Sequence, residues 1–361
     1  MQIEEIIKVF LPHVTFDYKP FGSGHIHDTF KVNVKEPLKN CYLLQCINQH
    51  VFQDVTGMMR NIDLVTSFLQ ERLLENPIKG FTTTQILPTA AGNLYFSDTT
   101  GKAWRMYSFI ENTVAYDKVT SLQQAAEAGK AYGVFQYLLS GFPSDKLVTT
   151  IPNFHNMAFR LENLKIAKGK NLVNKLKEVA KEIAFVKSRA DEMLHLYQLI
   201  ETGTIPNRVS HNDTKFNNVL LDADTHQAKA VIDLDTVMPG STLYDFGDAV
   251  RTICNTSEED EPDIEKISFS LPFFEAFTQH YLAQTRNLLT QIEIDYLGTS
   301  CRYMTFIMGV RFLTDYLDGN IYYKTSYPEH NIHRARCQFQ LVRCMEENNE
   351  EMRNVINKFR S

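Results

Sequence analysis

The stretch VSHNDTKFNNVLLD, Val209 to Asp222, decides how this chain is read. His211, Asn212, Asp213, Lys215, Asn217 and Asn218 crowd into eight positions directly before the apolar triplet Val219-Leu220-Leu221. Polar side chains are costly inside a fold unless they are hydrogen-bonded. A dense polar cluster at the mouth of an apolar strand therefore marks a place where chemistry is held at the edge of a core.

Working outward, the turn-rich Asp222 to Gln227 leads into Ala228-Lys229-Ala230-Val231-Ile232-Asp233. A β-hairpin centred between Thr225 and His226 sets Val219 opposite Ile232 and Asn218 opposite Asp233, so the two polar residues meet at its open end. Magnesium takes oxygen ligands and binds through one or two carboxylates plus waters and substrate phosphates. The amide oxygen of Asn218 and the carboxylate of Asp233 suit it. Asp213, on the loop entering that end, can accept a proton from an attacking hydroxyl and orient it. These are the parts needed to move a γ-phosphoryl group.

Asp and Asn also cap turns and end strands, and that plainer role fits each residue taken alone. The spacing argues against it. His211, Asp213 and Asn218 spell H-x-D-x-x-x-x-N, and an aspartate follows 15 residues after Asn218. This is the arrangement of the catalytic loop and metal-binding aspartate of protein-kinase-like enzymes. His211 is expected to brace backbone rather than react.

The chain has 361 residues, 43% of them hydrophobic and 11% aromatic, enough for two lobes with substantial cores. A net charge of -6 argues against a general nucleic-acid or anionic-membrane surface, so small ligands are the expected partners. The six cysteines show no C-x-x-C spacing and read as reduced packing residues. Glu4 and Glu5 stand where a signal peptide needs basic residues, and no apolar run approaches the ~18 residues that span a bilayer. A cytoplasmic monomer with no membrane segment is expected.

Hydrophobic periodicity predicts strands over Phe30–Val34, Tyr42–Ile47, Gly92–Phe96 and Ala103–Phe109, and an amphipathic helix over Val55–Leu74. From Leu122 onward the pattern is helical, notably over 125–139, 159–166, 183–199 and 273–289. A small β-rich lobe, a connector near Ile110 to Thr113 and a larger helical lobe follow. The acidic run Glu258 to Glu261 reads as a solvated loop, and His330 and His333 as the start of a helix rather than a metal site.

The segments SHNDTKFNNVLLD, AVIDLDTVMPGSTLYDFGDAVR and MGVRFLTDYLDGNIYY together resemble the aminoglycoside phosphotransferase and choline kinase superfamily, most closely its anomeric N-acetylhexosamine 1-kinases. The likeness extends to FGSGHIHDTF, MMRNIDLVTSFL and YPEHNIHRARCQ, and so spans nearly the whole chain. It implies an α+β, bilobal, protein-kinase-like fold, with residues 1–110 as a nucleotide-binding lobe and 111–361 as a catalytic and substrate-binding lobe. It further implies ATP as co-substrate, Mg2+, and phosphorylation of the C1 hydroxyl of N-acetylglucosamine or N-acetylgalactosamine.

Carried over by position, Asp213 is the implied base, and Asn218 and Asp233 are the implied metal ligands. Asp235 is a candidate for metal or sugar contact. The implied sugar-binding residues are His25, Thr236, Arg251, Arg311 and Tyr322, whose donors and acceptors suit hydroxyls and an acetamide. The backbone of Ser108, Phe109 and Ile110, continuing to Asn112, is implied to meet adenine. Asp245 and Asp248 are expected to anchor the loop and a helix start.

The chain departs from protein kinases at one place. The strand that carries their phosphate-gripping lysine has Gln45 here, which leaves Asp63, the expected helix acid, without its usual partner. Backbone N–H groups of Gly22-Ser23-Gly24 and the ammonium of Lys215 are the expected substitutes, with Lys215 neutralising charge on the γ-phosphate. Two other readings stay open. One is a kinase for an amino alcohol or aminoglycoside, and the other is a nucleotide-binding pseudokinase.

Overall fold

The computed structural model describes residues 1–22, 27–36 and 39–360. It divides into two compact units, each assembled from several chain segments. The first comprises Met1–Ala115, Leu138–Pro152 and Asn218–Pro239; the second comprises Tyr116–Tyr137, Asn153–Asn217 and Gly240–Ser361. The first is built on antiparallel sheet and the second is mainly helical, which is the α+β kinase-like organisation expected from the sequence.

In the first unit, α1 (Ile3–Phe10) precedes β1 (Thr15–Pro20), β2 (Asp28–Glu36) and β3 (Cys41–Cys46), and α2 (Val55–Glu75) follows. Then come β4 (Ile86–Leu87), β5 (Phe96–Ser97), β6 (Ala103–Ser108) and β7 (Thr113–Val114). Among the described residues the sheet runs β1-β2-β3-β6-β4, with β5 also pairing β6. Ile6, Ile7 and Phe10 of α1 bury against Val32, Leu44, Trp104 and Met106 of the sheet. The sequence marked Gly92–Phe96 as a strand, but Gly92 lies at φ 85°, a turn conformation, and only Phe96 and Ser97 pair.

The predicted hairpin is present as β9 (Val219–Asp222) and β10 (Ala228–Val231), reached through β8 (Arg208–Ser210) and extended by β7 in a three-stranded sheet β10-β9-β7. Its register differs from the expected one by a residue: Val219 pairs with Val231, not Ile232. The cause is the loop. The Asp222 carboxylate accepts from the N–H of Asp224 and of Thr225, His226 takes a left-handed φ of 55°, and a bulge falls between Ala228 and Ala230. The extra residue moves Asn218 opposite Ile232, whose N–H donates to the Asn218 carbonyl at 2.9 Å. Asp233 then comes one position further along.

The second unit holds α3 (Leu122–Leu138, all but its last residue), α4 (Met157–Lys170), α5 (Ala180–Glu201), α6 (Thr242–Ile253), α7 (Leu271–Thr285), α8 (Gln291–Leu317), α9 (His330–Glu347) and α10 (Asn349–Phe359). Residues 245–248, DFGD, lie inside α6 rather than ahead of a helix. Ser241 caps α6 by accepting from the N–H of Leu243. The next turn brings Gly247 against α8, where a Cβ would sit 2.3 Å from the Ser300 carbonyl oxygen. Only glycine permits that approach.

The six cysteines are free thiols, five of them buried, in keeping with packing roles. Among the described residues no helix is long and apolar enough to cross a membrane. The acidic run differs from expectation. Glu258, Glu259, Asp260 and Glu261 pair with Lys118, Arg251, His330 and Lys266, so the segment is tied down by ions rather than merely solvated.

Candidate active site

Asp213 belongs to the second unit, on a loop that Asp245 of α6 holds from beneath. The buried Asp245 carboxylate accepts from Ser210 Oγ, the His211 N–H, the Asn212 N–H and Gln136 Nε2, all at 2.7–2.9 Å. Asp248, one turn on, accepts from the Thr214 N–H at 3.1 Å and is itself gripped by Arg251. Two carboxylates thus satisfy the backbone on both sides of Asp213. Burial raises the pKa of Asp245, against the pull of the neighbouring His211 and the N–H groups it accepts.

Asn212 takes φ 66°, a left-handed conformation that Asn tolerates better than most residues and that turns the chain sharply just before Asp213. His211 Nδ1 accepts the Asp213 N–H at 3.3 Å, and its ring is buried against Tyr132 and Phe135. These contacts are with backbone and packing neighbours. Lys215 Nζ stands 2.8 Å from Asp213 Oδ1. Burial works to lower the lysine pKa, but the Asp213 carboxylate outweighs it, so the ammonium is held charged above the ordinary lysine range.

Of the residues named for sugar binding, Arg251 is spent within the second unit. It is buried, with Asp248 at 2.9 Å and Glu259 at 3.0 Å. Arg311 lies on α8 over the rings of Phe154 and Tyr323. Tyr322 is 68% exposed, and its backbone N–H donates to Asp315 along with those of Ile321 and Tyr323.

Asn218 and Asp233 belong to the first unit, at the open end of the β9–β10 hairpin, with Asn218 opposite Ile232 and Asp233 one position further along. Asp233 has φ 61° and ψ 60°, and this left-handed step turns the chain into the short helical segment Leu234–Thr236. Asn61 of α2 fixes that segment's exit by donating to the Val237 carbonyl at 2.9 Å. One amide and one carboxylate fit magnesium, whose remaining positions go to water and phosphate oxygens. Among the described residues no cluster of three or more His, Cys, Asp or Glu side chains competes as a metal site.

Asp235 is 2% exposed, and its carboxylate is taken up inside the first unit. Arg105 of β6 binds it through both terminal nitrogens, and His27 Nε2 lies 2.6 Å from Oδ2. His27 Nδ1 accepts the Asn48 N–H, so the proton sits on Nε2 and is donated to Asp235. Burial opposes the Asp235 charge, but Arg105 and His27 more than compensate and hold its pKa below the usual carboxylate range.

Gln45 is cross-strand partner to Arg105 and accepts from its Nε at 3.0 Å. Gln45, expected from the sequence to stand in place of the protein-kinase lysine, therefore steadies an arginine. Asp63 makes no ion pair among the described residues, and burial raises its pKa. Arg105 escaped the sequence reading. Its signal was a lone charge in the otherwise apolar run AWRMYSF, which a strand buried on both faces tolerates only with a partner.

In the connector, the Ser108 and Phe109 N–H groups are committed to the carbonyls of Gln85 and Cys41, and the Ile110 carbonyl accepts from Thr113. Gly22 has φ 82°, a left-handed conformation that glycine adopts without strain. Ser23, Gly24 and His25 lie outside the described residues. Thr236 is buried in the segment after Asp233.

A sheet-based unit and a helical unit, with an aspartate loop braced from a helix, define a kinase-like phosphotransferase architecture. A family profile described as the phosphotransferase enzyme family matches residues 17–267, and the chain belongs to that family. Its fold is similar to that of a microcompartment-associated aminopropanol kinase (15% identity, 97% of this chain and 98% of that one, TM-score 0.63). It is also similar to that of an aminoglycoside phosphotransferase from Alicyclobacillus acidocaldarius (12%, 99% and 97%, 0.63). A choline kinase from Cryptosporidium parvum shares the fold as well (15%, 99% and 99%, 0.56).

Proposed function

We propose that this phosphotransferase is an ATP- and Mg2+-dependent kinase that phosphorylates the anomeric C1 hydroxyl of N-acetylhexosamines. The observation that carries the reading is the Asp213–Lys215 pair at 2.8 Å on a loop immobilised by Asp245 and Asp248. Asp213 accepts the proton of the C1 hydroxyl as its oxygen bonds to the γ-phosphorus. The bond from that phosphorus to the β-γ bridging oxygen breaks, releasing ADP. Lys215 places a fixed positive charge where the transferred group gathers negative charge. Asn218 and Asp233 would hold magnesium, which supplies charge neutralisation at the nucleotide phosphates. The connector through Ile110 would meet adenine with backbone groups other than the committed N–H groups of Ser108 and Phe109.

The sugar assignment is supported by the sequence likeness and by arginine at position 311 where a cationic substrate would call for acids or an aromatic cage. An amino-alcohol acceptor is the second reading, favoured by the fold neighbours that are aminopropanol and choline kinases. A pseudokinase reading, drawn from Gln45, predicts no product at all. Incubating the protein with Mg-ATP and a panel of N-acetylglucosamine, N-acetylgalactosamine, choline, ethanolamine and an aminoglycoside separates the three. Mapping the phosphate by NMR to C1 of an N-acetylated sugar is the expected result, and product from choline or ethanolamine alone would sink it.

A further inference from the structure

The second unit contains a group of cationic and polar side chains that keep part of their hydrogen-bonding capacity unused among the described residues. His155 is 7% exposed, and among the described residues neither ring nitrogen completes a hydrogen bond of good geometry, although the Asn212 backbone favours its protonated form. Its ring packs between Phe154 and Tyr244, and its backbone carbonyl accepts from Tyr303. Arg160 of α4 spends Nη2 on the Phe154 carbonyl and leaves Nε unpartnered, as Tyr323 leaves its hydroxyl. Arg311 lies over the same Phe154 ring.

Neither Arg160 nor Arg311 forms an ion pair among the described residues. Burial, followed by the charge of Arg311, brings the Arg160 pKa down to about 10. Burial and the two arginines bring His155 down to about 3, so its imidazole is neutral and offers one N–H and one lone pair. The His155 ring lies 5.0 Å from that of Tyr244, which directly precedes Asp245, the carboxylate that holds the His211 and Asn212 N–H groups, so this group lies beside the loop that carries the proposed base. Buried polar atoms without partners are rare and call for an explanation. Two unneutralised guanidiniums with open donors call for oxygen acceptors and disfavour another cation.

We propose that His155 and Arg160, together with Arg311, form the part of the acceptor site that reads a carbonyl oxygen on the substrate, the acetamide of an N-acetylhexosamine, and turns ammonium-bearing alcohols away. The inference rests on the kinase reading above and adds His155 and Arg160 to it as specificity-determining residues. A site built to hydrogen-bond a substrate group discriminates strongly against analogues that lack it, because its own polar atoms are then left unpaired.

The test compares kcat and KM for N-acetylglucosamine, glucose and glucosamine in the parent protein and in Arg160→Met, His155→Phe and His155→Gln, with the KM for ATP as internal control. In the parent, kcat/KM should favour the acetylated sugar over both others. Arg160→Met and His155→Phe should cut the preference for N-acetylglucosamine over glucose by about 10- to 100-fold, mainly through KM for the acetylated sugar. His155→Gln, which keeps a donor and an acceptor, should recover part of it. If the parent phosphorylates N-acetylglucosamine but the variants keep the full preference, the inference falls and the proposed function stands. A parent that phosphorylates no N-acetylated sugar overturns both.

Discussion

The guanidinium of Arg105 holds the carboxylate of Asp235 through two parallel hydrogen bonds, Nη1 to Oδ1 at 2.5 Å and Nη2 to Oδ2 at 2.8 Å, with both side chains almost wholly buried. The bond ties strand β6 to the turn that follows Asp233 within the same unit. In protein kinases a strand lysine pairs with a helix acid. Here β3 carries the neutral Gln45, which accepts from Arg105, and the buried ion pair joins β6 to the acid two residues beyond Asp233.

Arg105→Met should therefore cost about 3–5 kcal/mol of stability, because it leaves Asp235 buried and opposed only by His27. Arg105→Lys keeps the charge but not the two-pronged geometry and should recover only part of that loss. Denaturant unfolding of both variants measures the cost. A midpoint for Arg105→Met equal to the parent's would show that the pair is dispensable.

Replacing Asp213 with Asn removes the proposed proton acceptor while preserving its size. Turnover should fall by roughly 10²-fold or more, with the unfolding midpoint close to the parent's, since the loop is braced by Asp245 and Asp248 rather than by residue 213 itself. Lys215→Met should lower kcat more than it raises the KM for ATP, as expected of a charge used mainly in the transition state. Unaltered turnover in either variant would remove that residue from the mechanism.

At Asp233 the backbone and the side chain can be tested separately. Asn tolerates the left-handed φ of 61° and Ala does not, so Asp233→Asn should fold like the parent, while Asp233→Ala should also lose about 1 kcal/mol to backbone strain. Both should need far more Mg2+ for half-maximal turnover. An unchanged magnesium dependence in Asp233→Asn would mean that this carboxylate does not hold the ion.

Much of this was legible because it is local. The candidates Asp213, Asn218 and Asp233 announce themselves by spacing along a loop and hairpin, alternation marked β2, and short apolar runs marked β3 and β6. The hairpin register was not legible, since a bulge between Ala228 and Ala230 depends on how the Asp222 carboxylate folds its own turn. Partners distant in sequence were hidden for another reason. Nothing local in AWRMYSF points to Asp235, 130 residues away, and nothing around His155 announces that its ring is buried against Tyr244. Such facts exist only once the chain has folded.

Arg208 and Glu293 offer a last test, on the strand that feeds the loop carrying Asp213. Glu293 is fully buried, accepts from Arg208 Nε and Nη2 at 2.7 and 2.9 Å, and closes the capping box of α8 with Thr290. Burial opposes its charge, but Arg208 and the Thr290 N–H outweigh burial and lower its pKa. The folded-state pKa thus lies below the unfolded value of about 4.3, so the stabilisation is complete above that value and is lost as pH falls through the folded one. Glu293→Gln should cost about 3 kcal/mol at pH 7. In urea titrations the gap between parent and variant should be largest at neutral pH and narrow as the pH drops below about 4. A gap that stays constant down to pH 3 would assign the cost to packing rather than to the charge.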